Sequence, residues 1–322
     1  MRLCVFSAVF LCLSCSDSRV TPKAVQEIGT QTSLKEPSLI ILGTLQDAGS
    51  PQIACKKECC KALFNNPDPG RKVVSLGLID PVDKKTFLFE ATPDIGQQLN
   101  VLMKKAYPEA KEVPDGIFLT HAHIGHYAGL MYLGKEATNT DSIPVYAMPR
   151  LKRFIEDNGP WDQLVSNGNI VLQELMEGEG VQLTTKIRVI PFLVPHRDEY
   201  SETVGFKIEG PEKSVLFIPD INKWDVWEAS IAEEVSKVDY AFIDACFYHA
   251  AEVDNRDISQ IRHPFVIESM ALFKDLPPKE KDKIHFIHFN HTNPLLNTAS
   301  PEARHVLDEG YHIAEFQQIL TL

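Results

Sequence analysis

The sequence predicts a layered α/β domain, and three observations lead there. Short apolar runs rich in β-branched and aromatic residues recur along the chain, as buried strands do. They begin as hairpins and then alternate with longer helix-like segments, the pattern of two sheets covered by helices. Histidines and an aspartate stand where several of the runs end. The predicted strands are 38–45, 73–80, 86–91, 116–120, 187–194, 203–208, 214–218, 240–245 and 284–289. The predicted helices are 93–107, 126–134, 149–158, 223–237, 264–274 and 301–309. Thr92 before Pro93 reads as an N-cap followed by a proline at the first helical position.

Before these elements lies an apolar segment, Leu3 to Leu13, preceded by a single basic residue, Arg2. It is too short to span a bilayer and has the layout of an export signal. Its end, Leu13-Ser14-Cys15-Ser16, resembles a bacterial lipoprotein signal with lipid added at Cys15. Residues 1–15 are therefore expected to be a signal, 16–37 a polar tether, and 38–322 the domain. The expected location is outside the cytoplasm, lipid-anchored to a bacterial membrane and facing the periplasm or exterior. The chain carries 32 basic and 44 acidic residues, a net charge of −12. That balance argues against a nucleic acid, whose phosphates are held by clustered Lys and Arg. It leaves room for a small anionic substrate bound at a metal.

The seven cysteines divide by position. Cys4, Cys12 and Cys15 belong to the signal. Cys246 sits alone in an apolar strand, where a buried inert thiol is expected. Cys55, Cys59 and Cys60 cluster, and adjacent cysteines pair with each other only under strain. Three thiolates close together suit a tetrahedral zinc completed by a fourth ligand from elsewhere.

The chemistry centres on Thr120-His121-Ala122-His123-Ile124-Gly125-His126, directly after the strand Gly116-Ile117-Phe118-Leu119. A strand that delivers His-x-His into a loop, with a third His opening a helix, aims several imidazoles at one point. Neutral imidazole is a common ligand for zinc, iron and manganese. Singly, His196, Asp220 or His288 at a strand end would be a structural residue or a turn. Together, in this order, they point to a site.

The His-x-His-x-x-His stretch resembles the signature of the metallo-β-lactamase superfamily, with Gly125 where that family carries Asp. The resemblance implies a four-layer αββα sandwich. It also implies that His121, His123 and His196 hold a first metal, that Asp220 bridges, and that His126 and His288 face a second position. Leu42-Gly43-Thr44, Asp47-Ala48-Gly49-Ser50-Pro51-Gln52, Ala91-Thr92-Pro93-Asp94-Ile95 and His288-Phe289-Asn290-His291 are similar to segments of the coenzyme PQQ synthesis protein B branch. A related branch, the cyclic phosphodiesterase of bacterial phosphonate breakdown, pairs its last catalytic histidine with a zinc-binding histidine three residues on. By that resemblance Cys55, Cys59, Cys60 and His291 form a structural Cys₃His zinc site, with the middle cysteine displaced in sequence.

The resemblance implies an enzyme with a divalent metal, zinc first and manganese or iron as alternatives, beside one structural zinc. The leading expectation is hydrolysis of a phosphodiester, ester or amide of a small molecule by water activated at the metal. The alternatives are an iron-dependent oxidative enzyme like the PQQ branch, or a binding protein with a decayed site. Asp220 is the expected orienting group or base. His263, in Arg262-His263-Pro264 at a predicted helix start, is the expected further catalytic residue. His249, Tyr248 and Glu268 are candidates to line the pocket. Asp47 and Asp94 are candidates to replace the carboxylate missing at Gly125.

Overall fold

A computed structural model describes residues 34–253 and 260–322. The expected signal and most of the expected tether lie outside the described residues. No helix among the described residues is long and apolar enough to cross a membrane.

In chain order the first sheet is built from β1 (Ser38–Gly43), β2 (Ser75–Asp80), β3 (Lys85–Phe89), β4 (Gly116–Phe118), β5 (Ile143–Ala147) and β6 (Ile170–Glu174). The second takes β7 (Val181–Gln182), β8 (Arg188–Leu193), β9 (Val204–Glu209), β10 (Ser214–Ile218), β11 (Tyr240–Asp244), β12 (Ile284–Ile287) and β13 (His312–Ile313). The last strand, β14 (Ile319–Thr321), returns to the first sheet beside β1. Each sheet thus has seven strands, in the orders β14-β1-β2-β3-β4-β5-β6 and β13-β12-β11-β10-β9-β8-β7. Both are mixed. β3 to β6 run parallel, as do β10 to β13, while the remaining pairs are antiparallel.

The parallel strands are short continuous apolar runs because both of their faces are covered. Between the sheets lie Phe89, Phe118, Phe206, Phe217 and Phe242, all fully buried. Phe118 stacks on Phe89 at 5.0 Å and on Tyr146 at 4.3 Å, with the edge of Phe206 against both phenylalanines. Each such side chain contributes roughly 2 kcal/mol by leaving water.

The outer layers are helical. After the short α1 (Glu58–Lys61), α2 (Ile95–Lys105), α3 (Ile124–Tyr127), α4 (Pro149–Asp157) and α5 (Trp161–Ser166) cover the first sheet, burying Ile95, Leu102, Tyr127, Leu151, Ile155 and Leu164. On the second sheet α6 (Ile231–Ser236) and α7 (Val266–Leu272) bury Ile231, Val235, Val266 and Met270. Past α8 (Pro278–Lys281), α9 (Pro301–Asp308) adds Ala303 and Val306 to that layer. The α/β class is the one the sequence pattern predicts, and the four-layer αββα arrangement is the one the resemblance implies.

Several local expectations are corrected. Helix α2 begins at Ile95 with Asp94 at the N-cap, because Pro93 and Asp94 form a turn in which the Thr92 hydroxyl accepts the Asp94 N–H at 3.0 Å. The predicted helix 223–237 divides into a 3-10 turn, Trp224–Val226, and α6. Its break is set by Ser230, whose hydroxyl accepts the Glu233 N–H. The segment after His126 continues as a 3-10 helix, Ala128–Leu133. The strand around Cys246 ends at Asp244, so the thiol stands in the loop beyond it.

Candidate metal centre and active site

Parallel strands in open α/β sheets present ligand sites beyond their carboxyl ends. The predicted site residues gather there. His121, His123 and His126 follow β4, Asp220 follows β10, Asp244 closes β11, and His288 follows β12. The loop after β4 is pinned between the sheets. Val204 donates its N–H to the Thr120 carbonyl, and Ala122 donates its N–H to Ser201 Oγ. Thr120 Oγ1 lies 2.8 Å from His121 Nδ1, which turns Nε2 of that ring toward the site.

A single carboxylate oxygen organises the cluster. Asp220 Oδ2 lies 3.1 Å from His196 Nε2, 3.3 Å from His121 Nε2, and 3.8 Å from both His123 Nδ1 and His126 Nε2. His121, His123, His196 and Asp220 each offer a ligand atom within 4.8 Å of the others. Nε2 of His121, His126 and His288 is buried with no hydrogen-bond partner among the described residues. Leaving such nitrogens unpaired is costly unless something accepts their lone pairs. A metal ion does so, and the donor set of neutral imidazoles with a carboxylate suits one.

The charge balance agrees. Burial, and then the neighbouring His126, hold His121 well below the usual histidine range, in the neutral form a metal needs. Burial opposes charge on Asp220, yet His196, His263, His121 and His123 hold it well below the usual carboxylate range. His126 is pushed the other way. Against its burial, Glu90, Asp220 and Asp47 raise it to about 9. His263 also reaches about 9, against burial, through Asp244, Asp220 and Asp47. The carboxylates therefore draw protons onto the rings, a demand that a divalent cation would meet instead.

Outer partners fix the rings, as carboxylates behind metal-binding histidines do. Glu90 Oε2 lies 3.5 Å from His126 Nδ1, with both residues fully buried. Asp244 faces two rings, at 2.7 Å from His263 Nδ1 and 3.4 Å from His288 Nδ1. His263 Nδ1 is also 3.2 Å from Asp220 Oδ1. Asp220, Asp244, His263 and His288 form a second group of potential ligand atoms within 4.8 Å.

Beside this cluster opens a cavity of about 600 Å³, lined among others by His196, Arg197, Arg262 and His263. The same cavity is lined by Cys55 and His291. Cys55, Cys59, Cys60 and His291 bring their ligand atoms within 4.8 Å of one another, the displaced middle cysteine included. Burial, followed by its cysteine neighbours, pushes the Cys60 thiol up to about 12, and burial likewise raises Cys59. A Cys₃His set this close is suited to a cation, which would hold its thiols deprotonated.

Not every candidate takes part. Tyr248 is packed in the outer core of the second sheet, and His249 caps the 3-10 turn Ala250–Glu252. Glu268 accepts the Phe265 N–H and pairs with Lys223. His263 does line the cavity, but from the loop before α7, since the helix begins at Val266. Asp94 is engaged elsewhere, accepting the Val73 N–H at 2.8 Å with Lys72 at 4.0 Å. Cys246 is not isolated. Its buried thiol lies within 4.8 Å of potential ligand nitrogens of His263 and His288. Burial, and then Asp244, raise its pKa far above that of a free thiol.

Sequence reasoning missed Asp244 and Glu90. Asp244 had a signal, since it closes an apolar strand as Asp220 follows one. Glu90 had none, because only the fold brings it behind His126.

The sequence profile of the beta-lactamase superfamily domain matches residues 85–286. The chain belongs to this superfamily. It is 26% identical over 304 residues to coenzyme PQQ synthesis protein B of Methylorubrum populi, a match covering 86% of this chain and 97% of the relative. The corresponding protein of Xanthomonas oryzae pv. oryzae is 23% identical over 303 residues, with the same coverage. Among solved structures, zinc-bound PqqB from Methylobacterium extorquens superposes with a TM-score of 0.72 at 23% identity, covering 88% of this chain and 100% of that one. A diphosphatase of the PhnP family superposes with a TM-score of 0.62 at 21% identity, covering 89% and 98%. At these identities the superpositions show the shared metallo-β-lactamase fold. The His/Asp cluster of this superfamily member is suited to a divalent metal.

Proposed function

We propose that the protein is a metal-dependent hydrolase acting on a phosphodiester, ester or amide of a small molecule. The observation that carries this is the convergence of four imidazoles on one oxygen of Asp220 at the edge of an open cavity. His121, His123, His196 and Asp220 would hold the metal. A divalent ion there supplies Lewis acidity toward a phosphoryl or carbonyl oxygen and acidifies water. Asp220, kept ionised by its histidine neighbours, accepts and orients a proton beside it. His263, held through Nδ1 by Asp244, is placed to deliver a proton to a leaving group in the cavity. Arg197 and Arg262 on the wall favour an anionic substrate, despite the net charge of −12.

A second reading, oxidative chemistry on iron, is favoured by the likeness to coenzyme PQQ synthesis protein B over 86% of the chain. Steady-state turnover separates the two. With bis(p-nitrophenyl) phosphate as probe, the hydrolase reading expects the zinc- or manganese-loaded chain to release p-nitrophenol without oxygen. No release of p-nitrophenol by any metal form, together with oxygen consumption by the iron-loaded chain alone, would favour the oxidative reading. The N-terminal pattern supports a separate proposal, export and lipid attachment at Cys15, which membrane fractionation of a Cys15→Ala precursor tests. Retention in the membrane fraction would count against it.

A further inference from the structure

Gly125 stands where the superfamily signature would carry a carboxylate, and the structure shows what occupies the space that a side chain there would take. An ideal Cβ built on Gly125 falls 1.9 Å from Asp47 Cβ, 2.7 Å from Asp47 Cα and 3.1 Å from Asp47 Cγ. Carbon atoms of residues distant in the chain do not approach to 1.9 or 2.7 Å. The side chain of Asp47 therefore grows from nearly the point at which a side chain of residue 125 would begin.

The loop that carries Asp47 is fixed by the same backbone that presents His288. Leu45 pairs with Phe289, Gln46 donates its N–H to the Phe289 carbonyl at 2.9 Å, and Gly49 closes the turn by donating to the Gln46 carbonyl at 2.9 Å. The Gln46 side-chain amide donates to Asp47 Oδ1. Gly125 adjoins His126, whose Nε2 lies 3.8 Å from Asp220 Oδ2 and whose ring centre lies 5.7 Å from that of His288. Here Nε2 of His126 and of His288 is buried and without a hydrogen-bond partner among the described residues. Asp94, the other carboxylate on a neighbouring loop, is tied to Val73 and Lys72.

We propose that Asp47 replaces the carboxylate absent at residue 125 and serves, with His126, His288 and Asp220, as a ligand of a second divalent cation. Gly125 is then not a gap in the site but the clearance that admits Asp47. The cation class follows from two imidazoles with two carboxylates, which suit zinc, manganese or iron. This proposal rests on the reading that the His121 cluster binds metal.

The test is titration of the full chain with cobalt(II), after chelator treatment that leaves the thiolate-held metal in place, read by visible absorption. Wild type is expected to take up two equivalents. Asp47→Asn should weaken the second by about tenfold or more and leave the first unchanged. Moving the carboxylate, as Asp47→Gly with Gly125→Asp, should restore it. Gly125→Asp alone should lose it, because the new side chain collides with Asp47. Uptake of only one equivalent by wild type, or unchanged affinity in Asp47→Asn, overturns the proposal. His121→Ala separates this failure from a failure of the underlying reading. If that variant keeps both equivalents, the His121 cluster binds no metal. If it loses the first while Asp47→Asn binds as wild type does, only the role of Asp47 falls.

Discussion

The two candidate metal sites share one cavity and are built in opposite ways. The Cys55, Cys59, Cys60 and His291 set draws three of its four ligands from a short stretch around α1, a helix of four residues that could not hold its shape alone. Burial raises Cys59 and Cys60, while against its burial the Lys57 backbone and the neighbouring thiols lower Cys55, so a cation there would be what favours all three as thiolates. The His121, His123, His196 and Asp220 set draws its ligands from three separate loops at strand ends. There Thr120, Ser201, Glu90 and Asp244 already fix the surrounding loop and rings. On the reading proposed above, the first site would take its metal to fold, and the second, already folded, would take its metal to react. Closeness of ligand atoms is therefore not by itself a function; what holds the ligands in place is what separates the two sets.

The largest effect expected from this contrast is on stability. Cys60→Ser should lose the chelator-resistant metal and cost about 3 kcal/mol, lowering Tm by roughly 10 °C. Calorimetry with metal analysis checks this. If the melting temperature and the resistant metal are both unchanged, the thiol corner is no staple.

A smaller effect should come from behind the other site. Asp244→Asn keeps the shape but weakens the grip on Nδ1 of His263 and His288. Turnover should fall roughly ten- to a hundredfold with the thiolate metal retained. An equal loss of that metal would mean that the two sites are one structural unit.

Much of the architecture was legible because strands covered on both faces must be apolar throughout. Ser38–Gly43, Ser214–Ile218 and Ile284–Ile287 announce themselves in this way. Ile143–Ala147 does not, since it alternates buried and half-buried residues and contains Pro144. Strands β7 and β13 are pairs of residues whose only reason to be extended is the neighbour they meet. The site was legible for a related cause. His121, Asp220 and His288 follow recognisable strands, so order along the chain implied convergence in space. Glu90 behind His126 depends on loops crossing between distant segments, and no local pattern encodes that. Asp47 was one of two carboxylates the sequence offered for the place of Gly125, and only the fold sets it there rather than Asp94.

On the proposed reading, the imidazole cluster around Asp220 binds a metal independently of the cysteines. The most direct test is metal content per chain for wild type, His121→Ala and Cys60→Ser after identical dialysis against a weak chelator. His121→Ala is expected to keep the resistant metal and lose the labile one, while Cys60→Ser does the reverse as long as it remains folded. A folded His121→Ala protein with the metal content of wild type would contradict it.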